Sequence, residues 1–517
     1  MAGLNLRKAS PAILAALGGG VAGLAHPPFG FLPGLLGFAL ILRQLDTADP
    51  DRRMRSAFLR GWAGGFAYFL VATWWVGEAF LVDAAAHAWQ APFAVALLPA
   101  GLGLFWGAAG ALYRRFAPPH LGRIMFFAAI WSGAEWLRGH VLTGFPWDLP
   151  GAAWRAGSAV SQTAAVVGVY GLSFLTLAIA ASAVTLFPGH DRRARIAAIA
   201  PAVLVLALLW TGGAWRLSRP APADTPQRIR VVQANVPQTE RMSAGNLSPI
   251  LQRHLRLSAL PAKGGAPDII VWPEGAVPAS ANEILDPDQG PRAEIARVLT
   301  PNQTLMFGTY RVEGTQSRPV YFNSLVAVRR NAEGLALTGL YDKYRLVPFG
   351  EYLPLESLMG AIGVKKLVAV GDGFTSGPQP RPIVPVGVPP VQPLICYESL
   401  FPGFVRDGPD RPKWIVNVSN DSWFGQTSGP WQHLNLASYR AIESGLPLIR
   451  ATPTGVSAIV DARGRPRRVL GLGVEGVIDG PLPGAATPTL YARLGDVPLG
   501  LLFLAGLACG WQQRRKR

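Results

Sequence analysis

The placement of apolar segments constrains the fold of this chain more than any other feature. Up to about residue 215, the sequence alternates apolar stretches with short polar loops, and one more apolar stretch lies near the carboxyl end. A helix needs about 20 residues to cross the hydrocarbon core of a bilayer. Eight stretches approach that length, at roughly 10–25, 28–43, 61–82, 91–112, 124–138, 162–187, 196–215 and 496–511. We therefore expect a multi-pass α-helical membrane domain of about eight helices.

Composition and charge agree with a membrane location. Charged residues make up 15% of the chain, whereas soluble domains carry about 25%. The net charge of +17 comes largely from arginine clusters in alternate loops, which is the pattern of cytoplasmic loops. This placement argues against nucleic acid as a partner and puts both termini in the cytoplasm. The sequence therefore predicts a multi-pass protein of a bacterial inner membrane whose large insert faces the periplasm.

The insert differs in pattern from the segments around it. Between about 220 and 492, short β-branched or aliphatic runs alternate with turns and helix-like stretches, which is typical of an α/β domain. The sequence predicts four regions: a membrane domain of about seven helices at 1–216, a Pro-rich linker at 217–227, a periplasmic catalytic domain at 228–492, and a final membrane helix with a basic cytoplasmic tail at 493–517.

Three short runs within the insert carry the candidate chemistry. Glu274 lies in VWPEG, Lys343 in YDKYRLVPFGEYLP, and Cys396 in LICYES. A thiol becomes a strong nucleophile when a base takes its proton, and an ammonium stabilises the oxyanion that then forms. Taken singly, each residue has an ordinary alternative. The cysteine fits a small buried hydrophobe, the glutamate an ion pair at the sheet rim, and the lysine a solvated surface charge.

Other chemistries have less support in the sequence. A Cys–His dyad would need His254 or His433, and His433 lies in a segment that predicts a helix and a structural role. No histidine, cysteine and carboxylate cluster has the spacing of metal ligands, and no glycine-rich phosphate loop follows a strand. We therefore expect neither a metal nor a cofactor.

Together, the three runs resemble the nitrilase superfamily of carbon–nitrogen hydrolases. The order Glu, Lys, Cys, followed by NVSNDSWFG at 417–425, is similar to the motifs of that family, and the likeness covers about 228–480. The resemblance implies an α-β-β-α sandwich. It also implies that Glu274 is the general base, Lys343 the stabilising amine and Cys396 the nucleophile.

The resemblance further implies a set of residues that support catalysis or bind substrate. These are Glu351 beside the lysine, Tyr397 and Glu398 after the cysteine, Trp423 near the pocket, and Trp147 on the membrane side within EWLRGHVLTGFPW. Met242 stands where the family often has tryptophan. Glu135 and Arg138 lie in the fifth apolar stretch, and we expect them to pair because charges at that depth need partners.

Combined with the membrane domain, the resemblance implies the branch of the family that modifies lipoproteins. Such an enzyme moves an acyl chain from the sn-1 ester of a phospholipid, typically phosphatidylethanolamine, to a thioester on Cys396. The chain then passes to the α-amino group of the diacylglyceryl-cysteine that begins an apolipoprotein, which gives ping-pong kinetics. The implied partners are the phospholipid, the modified apolipoprotein and membrane lipids. We expect a monomer, with loops 344–355 and 371–377 as lids.

Two other functions fit parts of this pattern. A membrane-anchored amidase of the nitrilase type would have the same fold and triad, but it would act on a small soluble substrate. A transporter or binding protein with an inactive nitrilase-like domain is the second alternative. Transporters favour internal repeats and interrupted helices, and the sequence has no two halves that match.

Overall fold

Two compact units make up the chain. The computed structural model describes residues 10–243, 245–262, 264–315, 317–353 and 373–515. One unit, the helical unit, comprises Met1–Pro220 and Thr489–Arg517, and the other, the α/β unit, comprises Ala221–Pro488.

Long helices dominate the helical unit. Its helices before the α/β unit are α1 Pro11–Gly23, α2 Gly37–Asp46, α3 Arg53–Thr73, α4 Ala84–His87, α5 Ala91–Phe116, α6 Gly122–Arg138, α7 Ala164–Ser182 and α8 Arg192–Ser218. Two more helices, Leu490–Leu494 and Val497–Arg515, follow the α/β unit. Each of the eight predicted apolar stretches overlaps one of these helices.

Not all of these helices are long and apolar enough to cross a bilayer. Within the described residues, three helical segments meet that condition: Ala84–Phe116, Val160–Leu186 and Arg192–Ser218. Pro11–Gly23 and Val497–Cys509 are shorter apolar helices. Helix α2 has 10 residues, which is less than a full crossing requires, and α6 has 17, which is at the lower limit of about 17. The structure therefore supports a membrane-embedded unit, and the count of eight crossings stays a prediction.

An ion pair lies buried in the last turn of α6. Arg138 pairs with Glu135, and both side chains are fully buried, so the predicted pairing is confirmed. The Arg138 guanidinium also donates to the carbonyl oxygens of Phe145 and Trp147, the latter at 3.0 Å. Glu135 accepts a hydrogen bond from the Trp106 indole at 2.6 Å. These partners offset the cost of removing both charges from water.

The α/β unit contains two β-sheets. Its strands are β1 Arg228–Gln233, β2 Ile269–Val271, β3 Thr304–Thr315, β4 Arg318–Asn331, β5 Gly334–Asp342, β6 Val391–Ile395, β7 Trp414–Val418, β8 Leu448–Ala451, β9 Ser457–Val460, β10 Pro466–Leu470 and β11 Gly476–Pro481. The first sheet has the order β11-β1-β2-β3-β4-β5, and the second has the order β10-β9-β8-β7-β6. The helices are α9 Gln238–Met242, α10 Leu247–Ser258, α11 Ala281–Leu285, α12 Gly290–Val298 and α13 Gly429–Ser444.

Alternating side chains of the strands build three apolar cores. Ile270 of β2 belongs to a core that the first sheet shares with α10, α11 and α12. Its neighbour Ile269 belongs to the core between the two sheets, together with Val416 of β7. The outer face of the second sheet packs against α13. The layers are therefore helix, sheet, sheet, helix, and strands buried on both faces explain the continuous apolar runs.

The candidate residues lie at the carboxyl ends of strands. Strands β1, β2 and β3 are parallel, and β5 runs in the same direction because antiparallel β4 lies between it and β3. Glu274 follows β2 and Lys343 follows β5. In the second sheet, Cys396 follows β6, which is parallel to β7. Such strand ends are where α/β folds place their ligands.

Candidate active site

Cys396 occupies a strained position directly after β6. It is the first residue of a 3₁₀ turn, Cys396–Leu400, and its φ is +48°. A residue other than glycine in this left-handed region costs on the order of 1–3 kcal/mol and persists only where its surroundings hold it in place. The side chain is half-buried. The backbone thus turns sharply to present the thiol at the edge of the sheet.

A buried network of hydrogen bonds and ion pairs supports this turn. The Cys396 carbonyl accepts a hydrogen bond from the Ser399 hydroxyl at 2.9 Å and lies 3.2 Å from Nε2 of His433. Nδ1 of His433 lies 2.9 Å from the Asp421 carboxylate, which also pairs with Arg450 at 2.7 Å. His433 is in α13, as predicted, and it contacts the backbone of the cysteine. These contacts help to maintain the strained conformation.

Lys343 lies between two carboxylates. Its Nζ is 2.9 Å from Glu351 and 3.5 Å from Glu274, and the lysine side chain is 1% exposed. The side-chain nitrogen of Asn323 donates to both carboxylates, at 2.7 Å to Glu274 and 2.6 Å to Glu351. The other oxygen of Glu274 accepts the backbone N–H of Asn420 at 2.8 Å. Two carboxylates, one ammonium and one amide therefore form a closed set of hydrogen bonds.

The two carboxylates keep the lysine charged. Burial alone lowers the pKa of Lys343, but the charges of Glu351 and Glu274 outweigh it and raise the pKa above its ordinary value. The side chain is therefore an ammonium at neutral pH, and its position close to the thiol suits it to stabilise an oxyanion.

The thiol, by contrast, holds its proton. Burial and the Glu274 charge raise the pKa of Cys396 to about 12, although Lys343 and a hydrogen bond with Ser419 act in the opposite direction. A thiol with this pKa supplies almost no thiolate at neutral pH, and the thiolate is the reactive form. The site therefore needs a general base to take the proton during attack, and Glu274 is the carboxylate that raises this pKa most strongly.

Glu398 joins the cysteine turn to the lysine loop. One of its oxygens accepts the backbone N–H of Ile395 at 2.7 Å. The other accepts the Tyr341 hydroxyl at 2.9 Å, the Tyr344 N–H at 2.8 Å and the Arg345 N–H at 3.2 Å. Burial raises the pKa of Glu398 to about 7. This carboxylate fixes the strand end before Cys396 relative to the segment after Lys343.

Comparisons with known proteins identify the family of the chain. Residues 18–182 match the family described as apolipoprotein N-acyltransferase N-terminal domain, and residues 228–487 match carbon-nitrogen hydrolase. An apolipoprotein N-acyltransferase of Caulobacter vibrioides is 52% identical over 96% of this chain and 93% of its own length. The chain belongs to the apolipoprotein N-acyltransferase family.

Further relatives carry the same name. The apolipoprotein N-acyltransferases of Rhodopseudomonas palustris and Bradyrhizobium diazoefficiens are each 40% identical to this chain, over 95% of it and 93% of their own length. Among solved structures, a glutamine-dependent NAD+ synthetase from Acinetobacter baumannii covers 49% of this chain and 45% of its own at 15% identity, with a TM-score of 0.32. A likeness that low carries no argument.

The other site residues implied by the family resemblance lie in several places. Tyr397 is buried and packs edge-on against Phe401, with ring centroids 5.1 Å apart. Trp423 is half-buried in the 3₁₀ turn Asp421–Phe424. Trp147 is buried in the helical unit, and its ring centroid is 4.6 Å from that of Trp75. The structure therefore brings Glu351 and Glu398 into the hydrogen-bonded site, and roles for these three aromatic residues stay predictions.

Two further features of the apolipoprotein N-acyltransferase resemblance fall at exposed or undescribed positions. Met242, at the end of α9, is 54% exposed. Of the predicted lids, residues 354–355 and 371–372 lie outside the described part of the chain. Among the described residues, no three histidine, cysteine or acidic side chains are placed to hold a metal ion.

Sequence reasoning missed the amide groups that complete the site. Asn323 bridges the two carboxylates, and an asparagine inside the apolar run YFNSLVAV of β4 is a signal, because this residue is depleted in strands. Asn420 acts through its backbone N–H, so its side-chain identity gives no such signal.

Proposed function

We propose that this protein N-acylates apolipoproteins, with a phospholipid as donor and a thioester on Cys396 as intermediate. The observation that carries the proposal is the arrangement around the half-buried thiol. A strained turn presents it next to a buried ammonium that two carboxylates flank. Membership of the apolipoprotein N-acyltransferase family supports the substrate class.

The first half-reaction acylates the enzyme. The Cys396 sulfur attacks the carbonyl carbon of the sn-1 ester while Glu274 takes the thiol proton. Lys343 stabilises the negative charge that develops on the carbonyl oxygen. The C–O bond of the ester then breaks, Glu274 returns the proton to the glycerol oxygen, and a lysophospholipid leaves. Phosphatidylethanolamine is the proposed donor.

The second half-reaction transfers the acyl chain. The α-amino group of the diacylglyceryl-cysteine attacks the thioester carbonyl, and Glu274 takes a proton from the amine. The C–S bond breaks as the amide forms, and the proton goes to the leaving sulfur to restore the thiol. Glu351 and Asn323 hold Lys343 and Glu274 in place through both steps. No cofactor takes part in this scheme.

The location of the substrates gives the helical unit its role. Acyl chains anchor both donor and acceptor in a bilayer, so an enzyme that acts on them benefits from membrane helices. We infer an inner-membrane protein with both termini in the cytoplasm, a periplasmic catalytic domain at 228–492 and membrane helices on either side. Arginine clusters in alternate loops support this orientation. We also infer that the protein acts as a monomer.

A two-stage experiment tests the proposal. Purified protein is incubated with phosphatidylethanolamine alone, and the peptide that contains Cys396 is examined by mass spectrometry for an added acyl chain. A diacylglyceryl-cysteine peptide is then added, and we expect the acyl mass to move from the enzyme to the peptide amine. Glu274→Gln should block both stages. An acyl adduct on another residue, or none, would contradict the proposed chemistry.

The same experiment separates acyl transfer from an amidase. A hydrolase would lose its thioester to water at the same rate with or without the peptide amine. We therefore expect the adduct to persist until the amine is added, and rapid loss beforehand would favour the amidase.

A further inference from the structure

An arginine lies directly beside the proposed general base. Gly275 follows Glu274, and its φ of +57° is in the left-handed region that favours glycine. A Cβ at this position would lie only 2.2 Å from the Arg241 guanidinium. The missing side chain of Gly275 therefore provides the space in which this guanidinium packs.

Helix α9, which carries Arg241, is held in place by contacts of two of its other residues. Gln238 accepts a hydrogen bond from the Asn420 side chain at 2.9 Å, and Asn420 in turn donates its backbone N–H to Glu274. Glu240 pairs with Arg253 at 2.9 Å. The position of the Arg241 backbone is thus tied to the catalytic cluster. Its long side chain reaches Gly275 from a pre-organised helix, α9.

The guanidinium itself has no hydrogen-bond acceptor within the described part of the chain. Arg138, Arg230 and Arg450 each donate to a carboxylate or a carbonyl oxygen. Arg241 is half-buried and interacts electrostatically with Glu274, but none of the described residues forms an ion pair with it. Five N–H donors in a fixed fork therefore remain available.

We propose that Arg241 binds the phosphate of the phospholipid donor. This inference rests on the proposed function and specifies how the donor is held. Arginine binds phosphate through paired hydrogen bonds. In a glycerophospholipid, only the glycerol carbons and their oxygens separate the sn-1 ester from the phosphate. A cation beside Glu274 therefore has the reach to hold the phosphate while the ester carbonyl lies near Lys343.

The acceptor substrate is a poorer match for this position. Its reacting group is an amine, and a neighbouring guanidinium repels the protonated form of an amine. A role in tuning Glu274 alone is also less suitable, because Glu274 already accepts from Asn323, Asn420 and Lys343. The remaining donors of Arg241 suit a ligand with free acceptor oxygens, and a phosphate has these.

A comparison of two acyl donors tests the proposal. The rate of acyl-enzyme formation is measured with dipalmitoyl-phosphatidylethanolamine and with p-nitrophenyl palmitate, which has the same acyl chain and no phosphate. For Arg241→Gln we expect the preference for the phospholipid, as a ratio of kcat/KM values, to fall about 10- to 100-fold. Most of this loss should appear in the phospholipid KM. Arg241→Lys should recover part of the preference, because it keeps the charge.

A matched control uses an exposed arginine of the same unit. Arg256 is paired with Glu475 at the surface, and Arg256→Gln should leave both rates unchanged. An equal loss with both donors for Arg241→Gln would overturn the phosphate assignment, since it would mean that Arg241 acts on the triad. An unchanged preference would overturn it as well. If neither donor acylates the unmodified enzyme, the proposed function itself fails, and the inference fails with it.

Discussion

Each unit buries a cationic side chain with carboxylate partners, but the two clusters differ in their balance of charge. In the helical unit, Arg138 pairs with one carboxylate, Glu135, and its two terminal nitrogens also donate to backbone carbonyls. In the α/β unit, Lys343 faces two carboxylates, Glu274 and Glu351. The hydrogen-bonded groups of the first cluster are neutral, and those of the second have one negative charge in excess, since Arg241 lies close to Glu274 without an ion pair to it.

This difference separates a structural ion pair from a reactive one. The Arg138 pair ties α6 to the segment that follows it, and its one cation is hydrogen-bonded to one carboxylate. In the α/β unit, the excess carboxylate raises the pKa of Cys396 and is placed to accept its proton. Burial of an ion pair is therefore weak evidence of catalysis by itself. A stronger indication is a cluster with more carboxylates than hydrogen-bonded cations, next to a half-buried nucleophile at a strand end.

The largest expected effect is at the thiol. Cys396→Ala removes the sulfur and keeps a β-carbon at the same strained φ, so we expect complete loss of the acyl adduct with little change in folding. Intact-mass spectrometry after incubation with phospholipid measures the adduct. Cys509→Ala is the matched control, because Cys509 is the other cysteine and is exposed in the terminal helix. An adduct that survives in Cys396→Ala would refute the assignment.

Loss of the ammonium should lower the acylation rate even of the molecules that remain folded. In Lys343→Ala, the oxyanion loses its cationic partner, and we expect acyl-enzyme formation to slow by about 10²- to 10³-fold. A rapid-quench time course measures this rate. Lys413 is an exposed lysine of the same unit, and Lys413→Ala should behave as the unmodified enzyme does. If Lys343→Ala acylates at the normal rate, the two clusters do not differ in the way described above.

The Arg138 pair should affect stability and have little effect on the acylation rate. Arg138→Met leaves Glu135 buried without its cation, and breaking a buried pair costs about 3–5 kcal/mol of stability. We expect a lower thermal midpoint in detergent, with the acylation rate per folded molecule reduced far less than in Lys343→Ala. Arg155→Met, at an exposed position of the same unit, should leave the midpoint nearly unchanged. An Arg138 variant that is stable yet inactive would assign catalysis to the helical unit.

A smaller effect depends on pH. Because burial raises the pKa of Glu398 from 4.5 to about 7, the folded protein holds this proton more tightly than the unfolded chain does. The resulting stability is fully present below about pH 4.5 and is lost as pH rises through about 7, by up to about 3 kcal/mol.

The comparison with a neutral side chain isolates this contribution. Thermal midpoints at pH 5 and pH 8 should differ more for the unmodified protein than for Glu398→Gln, which cannot ionise. Glu333→Gln, at an exposed position, should keep the full pH dependence. If Glu398→Gln shows the same dependence as the unmodified protein, Glu398 does not titrate in this range.

Much of the fold follows from local pattern. Apolar stretches predict the helices of the helical unit, and runs such as DIIVW and VQPLIC predict strands that end at Glu274 and Cys396. Sequence also predicts that Glu135 and Arg138 pair, because a charge in an apolar stretch needs a partner. The count of eight crossings stays a prediction, because the stretch at 28–43 includes residues before α2 that are not part of that helix.

The candidate site is predictable only in part. The motifs identify Glu274, Lys343 and Cys396, and the structure supports their proximity. The bridging role of Asn323 and the packing of Arg241 on Gly275 depend on how strands and loops meet in three dimensions. No spacing along the sequence predicts either contact, because the residues that meet belong to separate elements.

The sequence alone determined which residues end strands, where apolar stretches lie and which side chains carry charge, because these depend on short-range pattern. The tertiary structure decided the state of those charges. Lys343 and Glu274 are 69 positions apart, and Asn420 and Glu274 are 146 apart, yet they share one hydrogen-bonded cluster. Electrostatic energy depends on distance and burial, so only the folded chain can keep a buried Lys343 charged between two carboxylates and raise the pKa of Cys396 beside a base.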